Sequence, residues 1–221
     1  MSKWQLNLER ALSRPDAPPV MSRDLLSRFA RTANRNLLVP VSSLTHWQKS
    51  MVKKDKLQPI QRGLYFNRFR SNRVIMADVV PWLHQDAVVS LNTVLGDSGV
   101  LNNPVTVVTA IVPIDKNAPP PARLGRKTTR AGIVHFFAMP RRIVEAGKPR
   151  DRLEPTELFN HARATAEKAL VDWLYLGLSP RSNRTPPPRE DIDVELLDRR
   201  KLIRITAAAN LRQEMEQWLN R

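Results

Sequence analysis

Seven cations, Lys49, Lys53, Lys54, Lys56, Arg62, Arg68 and Arg70, follow within 30 residues of Ser42, Thr45 and His46. Lysine and arginine neutralise phosphates and confer affinity, register and salt dependence, whereas short or flexible donors such as Ser42, Thr45, His46 and Lys49 suit base edges. The chemistry of this set is therefore recognition of a polyanion rather than bond making. No other group of residues suggests a reaction centre. His46, His84, His135 and His161 are dispersed without metal-ligand spacing, and the chain has no cysteine. It also lacks a glycine-rich phosphate loop, a nucleophile elbow and a His-Glu-x-x-His pair. A metal-dependent nuclease would draw on Asp172, Glu167 and Lys168. Glu167 and Lys168 point about 100° apart on a helix, and capping and solvated-surface roles fit them better. Accordingly, no catalytic residue, metal or cofactor is expected.

A helix over 42–54, capped by Ser42 or Ser43, would position the donors. Leu44, Trp47 and Met51 form its buried stripe, while Ser42, Thr45, His46, Lys49 and Lys53 face outward with no acid among them. Lys54-Asp55 ends this helix. Residues 57–61 and 64–67 then alternate as two strands about Arg62-Gly63, where glycine permits a positive φ. Upstream, 4–12 reads as a helix stopped by Arg14-Pro15, and Ser22 caps a second helix whose stripe is Leu25, Leu26, Phe29 and Ala33. Three helices followed by a basic hairpin ending in Arg68, Arg70 and Arg73 make a winged helix-turn-helix over 1–73. In that arrangement the last helix enters the major groove and the wing meets the adjacent backbone.

Charge follows the same division. Residues 1–73 hold 15 Lys and Arg against 4 Asp and Glu, whereas 74–221 hold 21 against 17. A charge so concentrated speaks of a polyanionic partner. Over 74–221, helices are expected at 74–83, 90–95, 165–176, 199–208 and 211–219, and strands at 87–89, 105–112, 133–137 and 192–195. Thr165 serves as the cap of the third of these helices. Strands and helices in irregular order give a mixed α/β C-terminal domain and an α+β class for the whole chain. Proline clusters at 15–19, 119–121 and 186–188 mark loops. The last two are flanked by Arg123, Arg126, Lys127 and Arg130, and by Arg181, Arg184 and Arg189. No apolar run reaches the ~20 residues that span a bilayer, and the N-terminus lacks the apolar core of a signal peptide, so no membrane association and a cytoplasmic location are expected.

The helix at 42–54 running into Lys56-Leu-Gln-Pro-Ile-Gln-Arg-Gly-Leu-Tyr65 resembles the winged N-terminal domain of the AbiEi antitoxin family. Asp86-Ala-Val-Val-Ser-Leu-Asn-Thr-Val-Leu-Gly96 is similar to the family's strand and short helix after the wing. Ala164-Thr-Ala-Glu-Lys-Ala-Leu-Val-Asp-Trp-Leu-Tyr-Leu176 is similar to its Glu-Lys-Ala-Leu-x-Asp helix. The resemblance implies the antitoxin of a type IV toxin–antitoxin, or phage abortive infection, pair. Such a protein binds inverted repeats of double-stranded DNA in its own promoter, represses transcription, and counters a nucleotidyltransferase-like toxin without a stable complex. It would act on DNA as a monomer or a dimer. The rival expectation is a nucleic-acid-processing enzyme, or a replication protein of a mobile element, that uses the winged domain for targeting.

Overall fold

The computed structural model describes residues 2–70, 74–116, 124–155 and 157–220. The expected positions Arg73, Arg123 and the prolines at 119–121 lie outside the described residues. The chain divides into one unit of Met1–Val79 with Thr128–Gly132, and a second of Val80–Lys127 with Ile133–Arg221.

In the first unit, α1 (Lys3–Leu12), β1 (Val20–Ser22), α2 (Arg23–Ala33), α3 (Val41–Lys53), β2 (Leu57–Gln61) and β3 (Leu64–Asn67) follow in order. Ser22 Oγ accepts from the Leu25 amide at 3.1 Å and thereby caps α2, as its position suggests. For α3 the cap is elsewhere. Pro40 occupies the N-cap without a side-chain bond, so Ser42 and Ser43 fall inside the first turn. Val41, Ser42 and Ser43 are exposed, so water can satisfy the first-turn amides that no hydroxyl caps. Leu44, Trp47 and Met51 turn inward and join Leu8, Leu12, Met21, Leu26 and Leu57 in one apolar core, with Phe69 stacked on Trp47 at 6.1 Å. The small sheet has the order β1-β3-β2 and is antiparallel throughout, with Val20 and Gln58 flanking Phe66. Buried Asn67 ties the end of the hairpin to the rest of the unit: its Nδ2 donates to the Leu12 and Pro18 carbonyls at 2.9 and 3.1 Å, and its Oδ1 accepts from the Phe69 amide.

The second unit begins with α4 (Val80–Leu83), β4 (Val88–Val89) and α5 (Asn92–Asp97). The expected helix over 74–83 is instead a 3-10 turn at Met76–Val79 and a single α turn. Asp78 accepts from the Ile75 amide, which favours the tighter turn, and Pro81 brings no amide to a longer helix. A second sheet has the order β4-β5-β7-β6, from β5 (Val108–Ile114), β6 (Gly125–Thr128) and β7 (Ile133–Pro140). β5 and β7 run parallel from Val108↔Val134 to Ile114↔Pro140, and their near-continuous apolar runs suit a covered parallel pair. The short helices α6 (Arg141–Val144) and α7 (Pro149–Arg152) lead to α8 (Ala166–Leu178), then α9 (Arg199–Ala209) and α10 (Arg212–Leu219). Thr165 Oγ1 caps α8 by accepting from the Lys168 amide. The residues read as a strand at 192–195 form 3-10 turns. Ile192 makes one isolated bridge to Leu101, and the Asp193 carboxylate takes the Glu195 amide and closes the turn.

α8 packs against α5 and α9 and is buried almost all round, Lys168 and Asp172 included. The expectation that Glu167 and Lys168 sit on a solvated surface is thus corrected. Lys168 and Asp172 pair one turn apart, Ser90 Oγ donates to the same carboxylate at 2.8 Å, and Glu167 accepts from the Asp198 amide at 2.9 Å. Near the end of α8 the helix meets the proline-rich loop that follows. A Cβ on Gly177 would run into the backbone of Pro186. Gly177→Ala is expected to cost about 1–3 kcal/mol through forced displacement of that backbone, read as a lower thermal unfolding midpoint.

Candidate nucleic-acid interface

Helix α3 and the turn of the β2–β3 hairpin form two walls of a groove of about 910 Å³ within the first unit. Thr45, Gln48, Lys49, Val52 and Lys53 line it from the helix, and Pro59, Gln61, Arg62, Gly63 and Tyr65 from the hairpin. The positive φ of Gly63, +76°, makes the tight turn that carries Arg62. Of the residues expected to contact DNA, Thr45, Lys49, Lys53 and Arg62 therefore share one surface. Lys49, Lys53 and Arg62 are exposed. Among the described residues, no carboxylate lines the groove.

Two further cations complete it. Arg23 opens α2, donates its backbone amide to the Gly63 carbonyl at 2.9 Å, and reaches Thr45 Oγ1 with its guanidinium at 3.3 Å. It thus links the helix to the hairpin turn. Arg130 comes from the turn at 129–132, where Thr129 Oγ1 accepts from the Ala131 and Gly132 amides. The Arg130 amide donates to the Ile60 carbonyl at 2.9 Å. Sequence reading placed Arg130 in a loop of the second half and left Arg23 unremarked. The Ser22 cap, which puts residue 23 at the head of α2, was the only local signal for the first. Nothing in the neighbourhood of Arg130 points to α3.

The other expected contacts lie off this groove. Ser42 and His46 are exposed on earlier turns of α3, and Lys54 is exposed at its end. Lys56 borders a separate shallow depression with Arg10, Arg14 and Phe69. Arg68 is engaged locally: its Nε donates to Gln58 Oε1 at 3.0 Å and its guanidinium lies 5.4 Å from the Phe66 ring centre. Arg70 is half-buried and donates to the Pro15 carbonyl at 2.9 Å, which makes it a strut between the hairpin's end and the α1–β1 loop. Gln48 was not foreseen. It is only 5% exposed, it lines the groove, and its Nε2 has no hydrogen-bond partner among the described residues. A buried donor left unsatisfied is costly, so an acceptor brought into the groove would relieve it.

Among the described residues, no group of three or more His, Asp or Glu is placed to hold a metal ion, and no helix is long and apolar enough to cross a membrane.

No family model matches the chain, and no curated protein matches it. Among solved structures, the crystal structure of the RV2827C protein from Mycobacterium tuberculosis is similar. The two share 15% identity with a TM-score of 0.57, over 100% of this chain and 77% of that one. At such identity the likeness concerns the fold alone, and it agrees with a mixed α+β architecture.

Proposed function

We propose that the first unit is a winged helix-turn-helix that binds double-stranded DNA, with α3 in the major groove and the β2–β3 hairpin on the neighbouring backbone. The observation that carries this reading is the convergence of Arg23, Lys49, Lys53, Arg62 and Arg130 on one groove with no carboxylate among its described lining residues. Five cations held on helices and tight turns suit the regular spacing of phosphates, and counterion release from such contacts supplies most of the affinity. Thr45 and Gln48, set among them, are hydrogen-bonding groups of the kind that read base edges.

From the residues that resemble the AbiEi family, we further propose that the chain is a cytoplasmic repressor of its own operon. It would also be the antitoxin against a nucleotidyltransferase-like toxin, which it counters without a stable complex. The nuclease reading gains nothing from the geometry, because Asp172 and Lys168 are buried against each other and Glu167 is turned to the Asp198 amide.

One experiment tests both levels. The purified chain is expected to shift a duplex carrying the inverted repeats upstream of its gene, with a log–log salt slope of about −3 to −5 for three to five phosphate contacts. Its expression is expected to silence a reporter on that promoter and to restore growth when the neighbouring toxin gene is induced. A salt-insensitive shift would remove the groove as the binding surface. Normal DNA binding without growth rescue would remove the antitoxin role alone.

A further inference from the structure

A second concave site lies wholly within the second unit, a hollow of about 490 Å³ bordered by Asn92, Arg126, His135, Trp173, Arg184 and Asp191. Its most telling occupant is Arg184. The guanidinium lies 4.4 Å from the Trp173 ring centre and 5.0 Å from that of Phe137, and it donates to the Asn92 side-chain oxygen. Its Nε is enclosed and has no hydrogen-bond partner, and no described carboxylate pairs with it. A cation withdrawn from water without a counter-ion is costly, and here desolvation lowers the Arg184 pKa to about 10. The loop that bears it is nevertheless firmly seated. Trp173 Nε1 donates to the Thr185 carbonyl at 2.9 Å, the Arg184 amide donates to Ser182 Oγ, and Gly177 lets Pro186 approach α8. The chain has invested in holding an unpaired guanidinium at the wall of a cavity.

The surroundings match. Arg126 is exposed at the hollow, and His135 stacks on Phe137 at 4.2 Å. Burial first, then the charges of Arg184 and Arg126, hold the His135 pKa below its ordinary value. An anion seated among these groups would draw the imidazole proton back. Among the described lining residues one carboxylate, Asp191, stands at the rim, where it accepts from Asn103 Nδ2 at 2.6 Å. Leu101, Val105 and Pro188 supply apolar wall. A guanidinium fork is suited to the oxygens of phosphate, and the volume falls in the range of small-molecule sites.

We propose that this hollow binds a phosphate monoester carried on a mononucleotide-sized body, with Arg184 and Arg126 on the phosphate and Trp173 beside the body. The source of the phosphate is either a free nucleotide or the 5′-phosphorylated end of a strand. Binding here does not require the groove of the first unit.

The test follows the imidazole resonances of the four histidines of the full chain by NMR during titration with adenosine 5′-monophosphate, adenosine, and a 5′-phosphorylated tetranucleotide. Adenosine 5′-monophosphate is expected to move the His135 resonance saturably, with a dissociation constant of about 1 mM or lower, while adenosine leaves it in place. Arg184→Gln is expected to weaken binding about ten-fold or more, as the loss of a charged hydrogen bond does. Arg126→Ser, on an exposed side chain, acts in the same direction without risk to folding. Tighter binding of the tetranucleotide assigns the site to strand ends, and weaker binding assigns it to free nucleotides. Equal binding of adenosine, a still His135 resonance, or unchanged affinity in a folded Arg126→Ser chain overturns the proposal. So does loss of the His135 response in Lys49→Glu/Arg62→Glu, whose groove is disabled.

Discussion

Reversing charge at Lys49 and Arg62 together is expected to weaken binding to the upstream repeats by about 10²–10³-fold at roughly 0.1 M salt, with the salt slope falling by about 2. The magnitude follows from two lost phosphate contacts and two new repulsions at the same place. Both side chains are exposed and neither contributes to the apolar core, so circular dichroism and the unfolding midpoint should stay near those of the parent. The informative control is Lys54→Glu with Lys56→Glu, equal in charge but off the groove. It is expected to weaken binding by only about ten-fold, through the general field of the domain. Arg130→Ala extends the test to the cation that only the tertiary structure brings in, and should lower the slope by about 1. Equal losses in the groove pair and the control pair would mean that diffuse charge, not this surface, holds the DNA.

The part of that surface legible in the sequence was the part built from local periodicity. Leu44, Trp47 and Met51 sit at helical spacing, which fixes where Thr45, Lys49 and Lys53 must face, and Gly63 marks the turn that carries Arg62. Serine and threonine caps announced α2 and α8 for the same reason, since a cap acts within three residues. Non-local pairing left no such mark. β1 is three residues long, and it is a strand because Phe66, far along the chain, lies opposite Val20. Ile192 and Val194 alternate like a strand, yet only one bridge is available to them. Arg23 and Arg130 join the groove through backbone bonds to Gly63 and Ile60, contacts that no window of sequence contains. The Arg184 hollow escaped for a related reason. A proline-flanked arginine reads as a solvated loop residue until Phe137, Trp173 and Asn92 are seen around it.

Lys168→Met should be the most damaging single change to stability. Lys168 and Asp172 are both about 2% exposed, and Ser90 is the carboxylate's other bonded partner. Removing the lysine leaves an uncompensated carboxylate in the interior, expected to cost about 3–5 kcal/mol. The double variant Lys168→Met/Asp172→Leu should recover most of that loss, because replacing both members of a buried pair by apolar groups of similar size is often neutral. The pH dependence separates this account from simple loss of packing. In the parent, burial raises the Asp172 pKa, and the pull of Lys168 and Ser90 offsets this only in part. A carboxyl whose folded pKa exceeds its unfolded value binds its proton more tightly when folded, so its contribution to stability falls as pH rises through the window between the two values. Without Lys168 the folded pKa climbs further and that window widens. The deficit of Lys168→Met relative to the parent should therefore be largest at alkaline pH and shrink as pH falls toward the ordinary carboxylate range, as Asp172 takes up a proton and becomes neutral. Denaturant melts of parent, single and double variants across that pH range decide the matter. A deficit independent of pH, or a double variant no better than the single, would show that the lysine's aliphatic stem, rather than its charge, is what the core requires.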